Sequence, residues 1–354
     1  MSTLDNTRLL KYYQALNEGV EQAMLEDERV FMMGLDVDDH KGIQGSTLGL
    51  VDKFGAERVF TTPLSEDAMT GVAIGAAMAG QRPIHVHIRM DFMMLCMNQL
   101  VNIAAKSHYM YGGTVQVPMV IRTMIGKSWG QGAQHSQGLH SMFAHVPGLK
   151  VVAPSNAHDA KGLTIQAVRD NNPVIIMEHR LLYGTESYVP EEPYAIEFGK
   201  SRVIQAGSDL TIVAISNMVA ESIRAAELLS AQGISVEIID PVTISPLDSE
   251  TIEKSANKTA KLLIVDNAWL NCGVSAEISA RVAESEIIDK KVSVKRLGFA
   301  PTTCPTTPTL EQAFYPSPRS IAIAAMKLFD PSSQWEPNDE QCELAYQKNF
   351  KGPF

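Results

Sequence analysis

The chain is poor in the features that mark several large protein classes. It has only four cysteines in 354 residues, Cys96, Cys272, Cys304 and Cys342, and no two are spaced as Cys-x-x-Cys. That excludes a disulfide framework and a thiolate zinc ribbon, and it predicts free thiols in a reducing compartment. Positive charge is scarce: 30 Lys and Arg stand against 40 Asp and Glu, for a formal net charge of −10, and no basic block occurs. Neither a nucleic acid nor an anionic membrane surface is an expected partner. No charge-free apolar run reaches the length that spans a bilayer. The first residues, Met-Ser-Thr-Leu-Asp-Asn-Thr, show neither an apolar signal core nor an arginine-rich transit pattern. The expected location is the cytoplasm. Internal repeats and low-complexity tracts are absent as well.

What is present is apolar bulk in two kinds of period. Hydrophobic residues make up 45% of the chain, enough for a large core without disulfides or metals. The length suits about two domains. Leu9, Leu10, Tyr13, Leu16, Val20 and Met24 recur at helical spacing, which predicts a helix over residues 6–27. Strands are expected at 30–34, 83–88, 117–122, 149–154 and 173–178, helices at 93–109 and 156–169, and a glycine-bearing surface loop at 36–46. A second unit repeats the alternation, with strands at 210–215, 235–240 and 261–266, a helix at 219–232 that stops at Gly233, and another beyond Gly273. Alternating strands and helices, with several strands continuously apolar, are the pattern of parallel sheets covered on both faces. The expected fold is α/β in two domains, each a mostly parallel sheet flanked by helices. The polar, proline-bearing stretch 186–197 suggests the boundary. This divides the chain into a domain at 1–190, a linker at 191–205, a domain at 206–332 and a polar tail at 333–354, read as a tail or a subunit-contact arm.

Glu66 is the most informative residue. It follows Thr62-Pro63-Leu64-Ser65 and opens a run of small and apolar residues through Gly80. Ser65 suits an N-cap, and the run behind it suits a closely packed helix. Such a carboxylate is either a charge favoured by the helix dipole or a functional acid in an apolar wall, where burial would raise its pKa. Histidines supply a second set of candidates. His85 and His87 share one face of a strand and could chelate a metal, and His140 and His145 invite the same reading, but spacing supplies no third ligand.

Further blocks carry a resemblance: Gly-Ala-Ala-Met-Ala-Gly-Gln-Arg-Pro at 75–83, Gly-Ala-Gln-His-Ser-Gln at 132–137, Pro-Gly-Leu-Lys-Val-Val-Ala-Pro at 147–154, Asp-Ala-Lys-Gly-Leu at 159–163 and Arg-Asp-Asn-Asn-Pro-Val at 169–174. In this order, together with the Glu66 block, they resemble the β subunit of the thiamine-diphosphate-dependent first component of 2-oxo acid dehydrogenases, over residues 7–330. Pyruvate and branched-chain enzymes belong to that family, and acetoin-cleaving enzymes are related. The resemblance implies a thiamine diphosphate pyrimidine-binding domain and a transketolase C-terminal-type domain. It implies that Glu66 drives tautomerisation of the cofactor's pyrimidine, that Phe92 stacks on that ring with Leu64 and Ile88 beside it, and that His135 exchanges protons with intermediates. It implies a potassium ion held mostly by backbone carbonyls at Met119, Ala167, Val168, Asp170 and Asn172. It also implies an α subunit that binds the diphosphate and its Mg²⁺ through a Gly-Asp-Gly motif, which this chain lacks. The implied assembly has two α and two β chains with a β–β contact, and its acyl group passes to a lipoyl acyltransferase.

The chain departs from the family pattern at His85-Val86-His87-Ile88-Arg89, Lys127-Ser128-Trp129-Gly130, Asp240-Pro241-Val242-Thr243 and Pro301-Thr302-Thr303-Cys304-Pro305. Arg89 and Trp129 are expected at the substrate mouth, where they would favour an anionic or larger substrate. Two other functions remain open: a split transketolase-like or acyloin-forming enzyme whose acceptor is an aldehyde, and a non-catalytic scaffold.

Overall fold

The computed structural model describes residues 8–126 and 130–349, with side chains through residue 344. The chain divides into two units. One holds residues up to 125 together with 142–198, and the other holds 126–141 together with 199–351. Segment 126–141 thus belongs with the second unit, although it interrupts the first in sequence.

The first unit begins with strand β1 (Leu9–Lys11), where the apolar spacing predicts helix. β1 pairs antiparallel with β8 (Glu186–Tyr188), Leu9 opposite Tyr188, so a partner some 180 residues away captures the segment. Helix α1 (Tyr12–Glu26) follows and buries Tyr12, Leu16, Val20 and Met24. Then come β2 (Val30–Gly34), α2 (Leu50–Phe54), β3 (Val59–Thr61), α3 (Glu66–Met78), β4 (Arg82–His87), α4 (Ala105–Met110), β5 (Val120–Ile125), α5 (His140–Ala144, whose first two residues belong to the second unit), β6 (Lys150–Val152), α6 (Ala157–Arg169) and β7 (Val174–His179). Within this unit the sheet runs β6-β7-β5-β4-β2-β3, every pair parallel. β5 and β7 are buried along their whole length, as expected where helices cover both faces. Asn156 caps α6 through its side chain on the Asp159 N–H at 2.9 Å.

One expectation changes here and two gain detail. The helix predicted over 93–109 is a 3₁₀ helix (Met90–Cys96), a π-helical turn (Gln99–Ala104) and only then α4. The loop at 36–46 lies at the surface, with Asp36, Asp38, His40, Lys41 and Gln44 exposed, and is pinned by the buried Val37, Ile43 and Ser46 and by the Thr47 hydroxyl, which donates to the Val37 carbonyl at 2.7 Å. The expected boundary stretch is anchored at residues 190–192. The fully buried Lys161 donates to the carbonyls of Pro190, Glu191 and Glu192 and to Glu18, at 2.6–3.2 Å.

The second unit contains β9 (Arg202–Gln205), β10 (Leu210–Ala214), α7 (Met218–Ser230), β11 (Val236–Asp240), β12 (Thr243–Ser245), α8 (Ser249–Thr259), β13 (Lys261–Val265), α9 (Val274–Glu284), β14 (Ser293–Leu297), α10 (Pro308–Phe314), α11 (Pro318–Phe329) and α12 (Asp339–Asn349). Its sheet runs β14-β13-β10-β11-β9, parallel except for β9. Residues 202–205, expected as linker, are an edge strand here because β11 offers them a ladder. One face of the sheet presents Ile212, Ile238 and Leu263 to α7 and α11. On the other face Thr211 hydrogen-bonds Ser255 and Thr259 of α8, at 2.7 and 2.8 Å. In the stretch expected as a polar tail, α12 packs against α7. Among the described residues no helix is long and apolar enough to cross a membrane.

Candidate active site

In open parallel sheets, ligands bind beyond the carboxyl ends of the strands. At that end of the first unit's sheet, β3 leads into Leu64 and Glu66, and β4 leads into Ile88 and the 3₁₀ helix that carries Phe92. Helix α3 packs against that 3₁₀ helix, so the elements bearing Glu66 and Phe92 are neighbours. Leu64 is 73% exposed, and Glu66, Ile88 and Phe92 are half-buried. Beneath them Thr70, Ile74, Met90 and Met93 are buried. Phe92 is therefore not a core phenylalanine: its neighbours Met90 and Met93 fill the core and leave its ring partly open.

The setting of Glu66 differs from the expectation in two ways. Ser65 occupies the N-cap position, but its side chain makes no capping hydrogen bond. Glu66 is half-buried rather than enclosed: in α3 the buried residues are Thr70, Ala73, Ile74 and Ala77. One turn below Glu66, the Thr70 hydroxyl lies 3.5 Å from His87 Nε2. Sequence reasoning passed over Thr70, although a hydroxyl four residues after Glu66 in an apolar helix falls on the same face. Burial pushes the nearby Cys96 thiol up to about 11, with Asp67 and Glu66 adding in the same direction.

His85 and His87 touch edge to face, ring centroids 4.3 Å apart. Burial drives both imidazoles toward neutrality, His85 down to about 4 and His87 well below its usual range. Among the described residues no three His, Cys, Asp or Glu side chains are grouped to hold a metal. Arg89 is not at a mouth: it is only 6% exposed, its guanidinium donates to the Ile88 carbonyl at 3.1 Å, and burial lowers its pKa. Trp129 lies outside the described residues. His135 is half-buried in the second unit, in a loop whose Ala133 and Gln134 are exposed.

The five positions implied for potassium lie at the other end of the first sheet. Met119 precedes β5, Ala167 and Val168 end α6, and Asp170 and Asn172 precede β7. Carbonyl oxygens there suit a hard cation. Yet Arg82 already donates to the carbonyls of Val168 and Asp170, at 2.7 and 3.1 Å, and Lys150 pairs with the Asp170 carboxylate. An ion would have to use the remaining lone pairs of these carbonyls.

Two parallel-sheet units in this order, with an acid and an aromatic at the carboxyl edge of the first, define a class. Residues 9–186 match the family described as transketolase, pyrimidine binding domain, and residues 199–321 match transketolase, C-terminal domain. The chain belongs to this transketolase-type family. It is 44% identical, over 330 residues, to the acetoin:2,6-dichlorophenolindophenol oxidoreductase subunit beta of Cupriavidus necator, covering 90% of this chain and 97% of that protein. It is 40% identical to the mitochondrial pyruvate dehydrogenase E1 component subunit beta of Homo sapiens, over 318 residues, covering 88% and 89%. A solved structure titled split gene transketolase, inactive beta4 tetramer, shares the fold with a TM-score of 0.74 at 21% identity, covering 90% of this chain and 98% of that one.

Proposed function

We propose that this chain is the β subunit of a thiamine-diphosphate-dependent enzyme that decarboxylates a 2-oxo acid and passes the acyl group to a lipoyl carrier. The carrying observation is the accessible set of Glu66, Phe92, Leu64 and Ile88 at the carboxyl edge of β3 and β4. One carboxyl group, one aromatic face and two aliphatic side chains suit an aminopyrimidine. When bound, thiamine diphosphate supplies a thiazolium carbon that acts as nucleophile and electron sink. Glu66 would hold a proton at the pyrimidine ring nitrogen, Phe92 would stack on the ring, and Leu64 and Ile88 would keep water from its edges. His135 would take and return protons near neutral pH, as imidazole can.

The diphosphate and its Mg²⁺ fall to a partner α subunit in this reading, in an assembly of two α and two β chains with a β–β contact. Support comes from the missing Gly-Asp-Gly motif and from the lack of a metal-holding group among the described residues. Potassium at the amino ends of β5 and β7 would be structural, since it lies at the opposite end of the sheet from Glu66. A second reading, exchange of an activated carbonyl unit with an aldehyde, draws support from the transketolase descriptions of the two matching family models. The division into domains at 1–190 and 206–332, with 191–205 between them and a tail at 333–354, belongs to this proposal.

The test is reconstitution. The purified chain alone should turn over nothing. Co-purified with its α partner and supplied with thiamine diphosphate and Mg²⁺, it should consume pyruvate or a branched-chain 2-oxo acid. Turnover by the chain alone would refute the half-enzyme reading, and transfer from a ketose to an aldehyde with no activity on a 2-oxo acid would favour the second.

A further inference from the structure

We infer that Asp266, acting through His140, is a positioning residue for His135. The inference rests on the proposed catalytic reading of His135 and concerns what holds its loop. His135 sits between two anchored stretches of the second unit. On one side are Gly130 and Gly132, both with φ near +71°. A Cβ on Gly130 would lie 2.6 Å from the Thr306 carbonyl oxygen, and one on Gly132 would lie 2.6 Å from Thr306 Cγ2. Backbone here rests directly on the segment before α10. On the other side a Cβ on Gly138 would lie 1.8 Å from the Asn267 carbonyl oxygen. Two residues later His140 Nε2 meets Asp266 Oδ1 at 2.9 Å, with the side chains 0% and 1% exposed.

The shelf under this second anchor is hydrogen-bonded on both sides. Asp266 follows β13, and its N–H donates to Leu297 of β14 at 3.0 Å. The Asn267 side chain donates to the Ile215 carbonyl beyond β10 at 3.1 Å. The loop therefore docks on the carboxyl end of the second sheet, fixed to both strands that flank β13. Among the described residues His140 Nδ1 and Asp266 Oδ2 have no hydrogen-bond partner. Two well-packed apolar side chains would fill the same space without orphaned polar atoms, so stability alone does not call for this pair. What the pair provides is direction: one short N–H···O contact sets where the chain stands five residues after His135. Ala133 and Gln134, before His135, are exposed and provide no such constraint.

The experiment uses the reconstituted α–β complex with thiamine diphosphate and Mg²⁺, and the variants Asp266→Asn, His140→Gln, His135→Ala and the double variant Asp266→Asn/His135→Ala. A misplaced catalytic group costs up to about 100-fold, so Asp266→Asn and His140→Gln should each lower kcat by about 10- to 100-fold with KM little changed. Adding Asp266→Asn to His135→Ala should cost less than about twofold more, because residues acting through one group are not additive. Amide hydrogen exchange over residues 130–141 should accelerate at least about tenfold while exchange in α3 stays as it was. Multiplicative losses in the double variant, or unchanged exchange in the loop, would overturn the inference. Should Asp266→Asn fail to fold, His140→Gln carries the same two readouts. Full turnover by His135→Ala would instead sink the catalytic reading of that histidine. The two failures are therefore distinguishable.

Discussion

Arg122 of β5 and Glu178 of β7 meet with neither side chain exposed, Nε to Oε1 at 2.6 Å and Nη2 to Oε2 at 3.0 Å. The same guanidinium donates to the Ser46 hydroxyl at 3.0 Å, and the Tyr183 hydroxyl donates to Glu178 at 2.5 Å. Burial works against the arginine's charge, but the adjacent carboxylate outweighs it and holds the Arg122 pKa above its ordinary value. This network fastens the 36–49 loop to the sheet.

Removing one partner leaves the other charge buried and unpaired. Glu178→Gln should destabilise the chain by about 3–5 kcal/mol, whereas Arg122→Met with Glu178→Leu should recover most of that loss. Urea unfolding of the three proteins checks this. A cost below about 1 kcal/mol for Glu178→Gln would show that the charge pair is dispensable.

His85 predicts an acid-sensitive first unit. Its folded pKa of about 4 lies below the ordinary 6.5 because burial disfavours the charged ring. Between those values the unfolded chain binds more protons, so stability falls as pH drops. The contribution is complete above about pH 6.5 and is lost toward pH 4, a change of about 3 kcal/mol. Carboxylates slope the same way, so the informative measurement is the difference between wild type and His85→Gln across pH 4–7. Parallel stability curves would mean that His85 does not titrate as its burial implies.

Glu66→Gln separates the two readings of that residue. Glutamine keeps the size but cannot hold and release a proton, so proton exchange at the thiazolium carbon and turnover in the α–β complex should fall about 100- to 10,000-fold. A mere helix-dipole charge would cost only about 0.3–1 kcal/mol of stability and leave turnover intact. Melting temperature and exchange rate, measured on one sample, decide between them.

Potassium should act on stability and not on catalysis. A saturating level, about 100 times the dissociation constant, would add about 2.7 kcal/mol. Sodium at equal ionic strength should add little, and the apparent affinity for thiamine diphosphate should not change. If potassium leaves the melting temperature where sodium does, Arg82 alone satisfies the carbonyls of Val168 and Asp170.

The elements most legible in the sequence are those specified by neighbours in the chain. α6 starts beside Asn156 and ends at Arg169 as expected, because its cap and period are local. β4 and β13 stand within a residue of their expected places, since continuous apolar runs between polar ends leave little choice. The α/β class in two units follows from the same alternation, and Glu66 and Phe92 were named from their sequence blocks.

Tertiary structure alone decided what depends on distant partners. Residues 9–11 read as helix by period, yet they pair with 186–188 because a free strand there offers a ladder. The 3₁₀ and π turns over 90–104 carry no local signature distinct from α-helix, since i→i+3 and i→i+5 bonding is chosen by what the helix packs against. Arg89 reads as an exposed cation, but the fold draws it inward onto the Ile88 carbonyl. The pairing of His140 with Asp266 spans 126 residues. Side-chain identity suggests such a contact is possible, but only the packing of the second sheet brings those two atoms together. Composition and period therefore set the class and the blocks of this chain. Contacts between residues far apart in sequence set its loops, its exposed helix face and the seat of His135, because the free energy of such contacts depends on geometry that no local window contains.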